Sequence, residues 1–251
     1  MRVFIAVVSH NHGELIKKLG CLIDLARDYR VIINDNIHEE ALEQYCLLNN
    51  ITYIYNSSPK GFGENNNVIY EYCTTEFKMN DDDLFIILNP DVIIKNTSIN
   101  QLANKMVESN INFSTINLYL DSSFSKSDLC IRRYPKFIDF VNGFLGRNKT
   151  IINKRDIVNT TKIDWAAGSF LAIKSKYFKM VNGFNTRYFM YCEDIDLCMR
   201  LKYSGCDLHF IPDIKAVHLA GHRSKKIFSK HFYWHMKSIF IYILEKRKYV
   251  N

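Results

Sequence analysis

Five consecutive apolar residues, Leu84–Leu88 (LFIIL), leave no side chain to face water and so describe a strand buried on both faces. Such a strand needs cover on each side of its sheet, and the residues before it supply that cover. Val3–Val8, Arg30–Asn34 and Ile51–Tyr55 read as further strands. Gly13–Arg27, a segment ending near Asn49, and Glu64–Glu76 read as the helices between them. This alternation predicts an α/β fold with a parallel sheet and right-handed crossovers. Ligands of such sheets bind beyond the carboxyl ends of the strands, which sorts the polar clusters into candidates and decoys.

Two acidic clusters flank the Leu84–Leu88 strand. Asp81-Asp82-Asp83 contains a D-x-D pattern but precedes the strand, at the wrong edge of the sheet, and reads as a solvated turn. Asn89-Pro90-Asp91 follows the strand, and Pro90 fixes the backbone ahead of Asp91. Asp91 suits a hard divalent cation, Mg²⁺ or Mn²⁺, which takes one or two protein carboxylates and leaves its other positions to water and phosphate. Ser9 and Asn11 end the first strand and Asp35-Asn36 the second, where short polar groups can hold a base and ribose; turn chemistry explains them equally well. The loop Pro59-Lys60-Gly61-Phe62-Gly63 lets backbone approach a ligand, without a P-loop or dinucleotide fingerprint, and Asn65–Asn67 open the next helix beside it.

The stretch Tyr188–Arg200, YFMYCEDIDLCMR, predicts a helix from near Cys192 to about Tyr203 with Gly205 as its stop. Asp196 and Arg200, four apart, pair on one face as a structural bridge. Glu193 and Asp194 fall in the first turn, where they serve either the helix dipole or acid–base chemistry. Further on, His218 and His222 have zinc-like spacing but lack the glutamate of H-E-x-x-H, which argues against a zinc hydrolase.

Composition narrows the class. The 251 residues, 47% hydrophobic, suffice for one domain with a full core, and seven dispersed cysteines without a CxxC pair suggest free thiols in a reducing compartment. The apolar run at the N-terminus is too short for a signal peptide, and no run reaches the roughly 18 residues of a membrane span. The net charge of +7 favours anionic partners, yet no nucleic-acid-binding signature appears. The tail, Lys225–Lys248, mixes aromatics with Lys and Arg, as suits a helix at an anionic membrane interface or one packed on the domain.

In order along the chain stand SHNH, Asp35-Asn36, KGFGENNN, FIILNPDVIIK, WAAGSFLAIK, NGF, YFMYCEDIDLCMR and HLAGHRS. This ordered set resembles the family 2 glycosyltransferases of GT-A fold. IRRYPKFIDF, DWAAGSF and FSKHFYWHMKS are similar to the bacterial O-antigen rhamnosyltransferases within that family. The resemblance implies a Rossmann-like nucleotide-binding half with a mostly parallel sheet (1–95), merged with an acceptor-binding half (96–225) and followed by a C-terminal amphipathic helix (226–251). It implies inverting transfer of L-rhamnose from dTDP-rhamnose to a polyprenyl-diphosphate-linked N-acetylhexosamine, assisted by a divalent cation, at the inner face of the cytoplasmic membrane. A UDP-sugar-dependent galactofuranosyl- or hexosyltransferase and a non-catalytic nucleotide-sugar-binding subunit are the alternatives, and the oligomeric state stays open.

Carried over by position, Asp194 is the catalytic base, with Glu193 as second choice or acceptor-orienting group. Asp91 and His218 face the metal, and Asp35 meets the base. Ser9, Asn11, Asn36, Gly61, Gly63, Asn67, Asn89 and Arg223 complete the donor side. Trp165, Gly168, Ser169 and Arg132 line the acceptor side. The N-P-D in place of D-x-D leaves a single acidic ligand, which implies metal binding only together with the donor diphosphate.

Overall fold

The computed structural model describes residues 1–144, 146–147, 149–220 and 230–250. Its first half runs β1 (Val3–Ser9), α1 (Gly13–Leu19), α2 (Cys21–Asp28), β2 (Arg30–Asp35), α3 (Glu40–Leu48), β3 (Thr52–Tyr55), α4 (Phe62–Thr75) and β4 (Leu84–Leu88). It continues with β5 (Val92–Ile93), α5 (Asn96–Glu108), β6 (Phe113–Tyr119), β7 (Ile131–Arg132), α6 (Phe137–Phe144), β8 (Thr161–Ile163), β9 (Trp165–Ala166) and β10 (Phe170–Lys174). The last elements are α7 (Ser175–Met180), α8 (Glu193–Tyr203), β11 (Leu208–His218) and α9 (Lys230–Val250).

The main sheet has the order β3-β2-β1-β4-β10-β6-β11-β5, with β8 also on β11. β3, β2, β1 and β4 are parallel throughout, as the sequence predicts, and every residue of β4 is buried. β10 enters antiparallel between β4 and β6, while β6 and β11 run parallel to each other. Two reversals restore direction, so β6 and β11 point the same way as β4. The carboxyl ends of β1, β2, β4, β6 and β11 therefore share one edge, and β10 begins there. β7 and β9 form a separate two-stranded ribbon beside that edge.

Two local expectations are corrected. Gly13–Arg27 is two helices rather than one, because Gly20 takes φ 65° and returns its N–H to Ile16 O, ending α1 before α2 begins. Asp83 is not part of a solvated turn: Asp81 and Asp82 are exposed, but Asp83 is buried and accepts from Arg2 N at 2.8 Å and Arg2 Nε at 3.0 Å. Arg2 holds its carboxyl below the ordinary value despite burial. This acidic cluster braces the amino end of β4, opposite the functional edge.

All seven cysteines are free, and burial raises each thiol above its ordinary value, which leaves none suited to nucleophilic chemistry. No described helix is long and apolar enough to cross a membrane.

Candidate active site

The end of the sheet predicted to meet the donor is built by asparagines. Asn36, at the end of β2, donates to Lys60 O (2.9 Å) and accepts from Lys60 N (2.7 Å), and Asn56 Nδ2 reaches its oxygen at 2.9 Å. Asn65 donates to Lys60 O (3.1 Å) and Gly61 O (2.9 Å) while accepting from Asn34 (3.0 Å) and Asn56 (2.6 Å). Four amide side chains thus pin the Lys60-Gly61 loop against the carboxyl ends of β2 and β3. Buried amides need such pairing, because an unmatched one costs about 1–3 kcal/mol.

This network changes what several predicted donor-side residues do. Asp35 is fully buried, and its oxygens accept from Ile37 N (3.3 Å), Glu39 N (2.6 Å) and the Tyr53 hydroxyl (2.8 Å). A buried carboxylate with three protein donors shapes the turn after β2. Ser9 is likewise fully buried, donating to Glu39 Oε1 at 3.2 Å. Asn67 spends both ends of its amide on Phe184 N and O, each at 2.8 Å. The close approaches that Gly61 and Gly63 permit are to protein: an added Cβ would lie 2.4 Å from Phe189 O and 2.7 Å from the Phe184 side chain, respectively. Asn11, exposed at φ 62°, and half-buried Asn89 keep surface at the edge, while Arg223 and His222 lie outside the described residues.

At the far end of the sheet from β3, β5 pairs with β11 so that Val92 sits opposite His218. Asp91 Oδ1 and His218 Nε2 converge to 3.3 Å. Two ligands of a six-coordinate cation with bonds near 2.1 Å stand about 3 Å apart, so this pair fits a shared ion. The other ring nitrogen, Nδ1, lies 2.6 Å from Asp128 Oδ2. Burial alone would lower the imidazole, but hydrogen bonds to Asp128 and Asp91 outweigh it and raise His218 to about 9. Among the described residues, no three His, Cys, Asp or Glu side chains surround a common metal position. Asp91 and His218 are the pair at this turn that could hold an ion.

The carboxylate pair begins α8. Tyr191 (φ 72°) and Cys192 (φ 63°) precede it, two successive non-glycine residues in the left-handed region, and they turn the chain sharply into the helix. Such strain persists only where packing fixes it. Here Phe189 packs at a tilt against Trp234 of α9 (centroids 4.6 Å apart), the Tyr191 hydroxyl meets His231 Nδ1 at 3.2 Å, and Ser238 donates to Met190 O at 2.8 Å. The tail helix therefore clasps the loop that aims the acidic pair. Its Ile239, Ile241 and Tyr242 are buried, so packing on the domain accounts for its inner face.

Asp194 accepts from Ile195 N (2.8 Å) and from Gly168 N (3.2 Å). Burial raises its carboxyl, partly opposed by these two N–H groups and by the charge of Arg132. Glu193 is buried, with Oε2 lacking a partner among the described residues; burial and then the Asp194 charge raise it. Arg132 lies over the Trp165 ring at 5.7 Å and donates to Leu129 O at 3.1 Å. Trp165 itself is buried, its indole N–H given to Arg133 O at 2.9 Å, so it supports Arg132 as part of the core. The residue after Gly168 completes the link, since Ser169 O accepts from Asn89 N at 3.0 Å. Two consecutive residues thereby join Asp194 to the Asn89-Pro90-Asp91 turn, and the buried Ser169 hydroxyl lacks a partner among the described residues. As the sequence predicts, Asp196 is structural: it is fully buried, paired with Arg200 Nε at 2.7 Å, and accepts from the Tyr188 hydroxyl at 3.2 Å.

Asp128 was absent from the sequence-derived site. It is 90 residues from His218 in a segment with no recognisable pattern, so no spacing rule leads to it. The asparagine brace was half legible, as a run of polar residues opening α4.

Known proteins match this chain. The family model described as the N-terminal domain of galactosyltransferase matches residues 160–223, which hold Gly168, the acidic pair and His218. Rhamnosyltransferase WbbL of Escherichia coli is 41% identical over 250 residues, 98% of this chain and 94% of that protein. The N-acetylglucosaminyl-diphospho-decaprenol L-rhamnosyltransferase of Mycobacterium tuberculosis is 33% identical over 84 residues, 34% of this chain and 27% of that one. Among solved structures, S. aureus TarS 1-349 in complex with UDP-GlcNAc superposes with a TM-score of 0.61 at 12% identity, over 98% of this chain and 66% of that one, a likeness of fold alone. With that identity to WbbL across nearly the whole of both chains, the protein belongs to the GT-A-fold glycosyltransferases, within the family of the rhamnosyltransferases.

Proposed function

We propose that this glycosyltransferase moves L-rhamnose from dTDP-rhamnose to an N-acetylhexosamine carried on a polyprenyl diphosphate, with inversion at the anomeric carbon. The observation that carries the reading is the Gly168-Ser169 link, which fixes a carboxylate with a raised pKa next to a turn fitted for a cation and diphosphate. The acceptor hydroxyl oxygen attacks the anomeric carbon and gives its proton to Asp194. The bond from that carbon to the donor phosphate oxygen breaks, and dTDP departs with the electron pair. Asp91 and His218 would hold a divalent cation, which would supply positive charge to the leaving diphosphate. Asp194 is suited to the base role because burial brings its proton affinity towards neutral pH while Gly168 and Ile195 hold its orientation. Glu193, kept protonated by burial, offers a hydrogen bond to the acceptor sugar instead.

The identity to WbbL and the name of the mycobacterial relative support rhamnose as the sugar and a diphospho-lipid as its carrier. A lipid-linked acceptor places the working enzyme at the inner face of the cytoplasmic membrane. The exposed Tyr233, Phe240 and Leu244 on the outer side of α9, with Lys237 and Lys248 nearby in the helix, are suited to that surface. The test is acceptor-dependent release of nucleoside diphosphate with Mg²⁺ or Mn²⁺ and a synthetic GlcNAc-diphospho-lipid. Release from dTDP-rhamnose and not from UDP-sugars is the expected result, and release from a UDP-sugar alone overturns the donor assignment.

A further inference from the structure

We infer that Asp128 is a positioning residue for the cation: by accepting the Nδ1 proton of His218 it turns the Nε2 lone pair towards the ion shared with Asp91. This rests on the proposed cation site. A carboxylate only accepts, so a 2.6 Å contact between Asp128 Oδ2 and Nδ1 requires the ring proton on Nδ1. The charged ring gives one proton to each carboxylate, and the shorter contact, 2.6 Å to Asp128 against 3.3 Å to Asp91, marks Nδ1 as the nitrogen that keeps its proton when a cation takes the place of the proton on Nε2. A second carboxylate on the far nitrogen is how metal-binding histidines are held in one tautomer and one orientation.

The backbone presents Asp128 rigidly. Its own N–H returns to Leu118 O at 3.1 Å, Ser127 bridges to Tyr119, and Tyr119 is in register with Val217 next to His218. The turn between them is closed by Asp121, which accepts from Ser125 N (3.0 Å) and Lys126 N (2.7 Å). His218 ends β11, and Asp128 lies on the segment that folds back onto the end of the neighbouring strand β6. Asp128 lies on the side of the ring away from Asp91, so it acts through His218 and not on the ion.

The experiment measures Mn²⁺ binding to the full chain, by loss of the free Mn²⁺ electron paramagnetic resonance signal, with saturating dTDP and with UDP in parallel. Wild type is compared with Asp128→Ala, Asp128→Asn, Asp128→Glu, Asp91→Asn and His218→Ala. Asp128→Ala is expected to weaken Mn²⁺ by about 10–100-fold, with Asp128→Asn in between and Asp128→Glu partly restored. In turnover, excess Mn²⁺ should then recover kcat while the KM for Mn²⁺ stays raised, a split that loss of packing alone does not give. If Asp128→Ala lowers Tm enough to obscure binding, Asp128→Asn, nearly isosteric, carries the comparison. Wild-type Mn²⁺ affinity in the Asp128 variants, alongside loss in Asp91→Asn and His218→Ala, overturns the role of Asp128. Wild-type affinity in all five variants overturns the cation site itself, and this inference with it.

Discussion

Gly168 gives its N–H to Asp194 Oδ2 at 3.2 Å, and it is the absence of a side chain on Gly168 that lets Phe62 close over it: an added Cβ would stand 2.9 Å from the Phe62 ring. The peptide that orients the proposed base is therefore held by an aromatic from the donor-side loop. Gly168→Ala must shift that peptide or that ring. Its expected outcome is a kcat reduced by about 10–100-fold with the donor KM little changed, since small misplacements of reacting groups have such effects. Asp194→Asn, which keeps the shape and removes the base, sets the scale at about 10²–10⁴-fold. Steady-state kinetics on both variants, with donor binding by calorimetry, checks the pair.

Stability should fall as pH rises, because of Glu193. Burial, then the neighbouring Asp194 charge, raises its folded-state carboxyl above the ordinary 4.5. The folded chain keeps a proton that the unfolded chain releases, so the stabilisation is complete below the unfolded value and is lost as pH climbs towards the raised folded one. The slope for one such group is at most about 1.4 kcal/mol per pH unit. Glu193→Gln should flatten it. Chemical denaturation from pH 5 to 8 measures the difference, and parallel slopes in the two proteins would remove the buried acid as its source.

Arg132 lowers the carboxyl of Asp194 through its charge, against the larger upward effect of burial. Arg132→Ala should therefore move the acid limb of kcat/KM to higher pH, while Arg132→Lys should largely hold it in place. An unmoved limb would show that Arg132 acts on the acceptor alone.

Breaking the Asp196–Arg200 pair should act on folding rather than on chemistry. Arg200→Met strands a fully buried carboxylate with only the Tyr188 hydroxyl, and loss of one partner of such a pair costs about 3–5 kcal/mol. Thermal unfolding should show a marked drop in Tm. Turnover per folded molecule, measured well below the new Tm, should stay near wild type.

These residues also show how far the chain could be read before its structure. β4 and the helix from Glu193 to Tyr203 were legible because local pattern decides them: an apolar run, and an apolar period ended by Gly205 at φ 82°. β5, β7 and β9, two residues each, exist only because partners from distant parts of the chain align them, and no local propensity marks them. The same holds for the site. The carboxylates were found by residue type and position. That Asp35 and Asn67 are already committed to protein partners depends on Tyr53, Glu39 and Phe184, which only the folded chain brings close. Asp128 belongs to this second kind.

The brace formed by Asn34, Asn36, Asn56 and Asn65 contains no group that titrates between acid and alkali. Shifts of pH that act on Asp194 and His218 therefore leave these amide bonds to the Lys60-Gly61 loop in place. Acid should switch off this enzyme at its charged end while the amide brace stands intact, which makes inactivation there a reversible loss of chemistry and not a first step of unfolding.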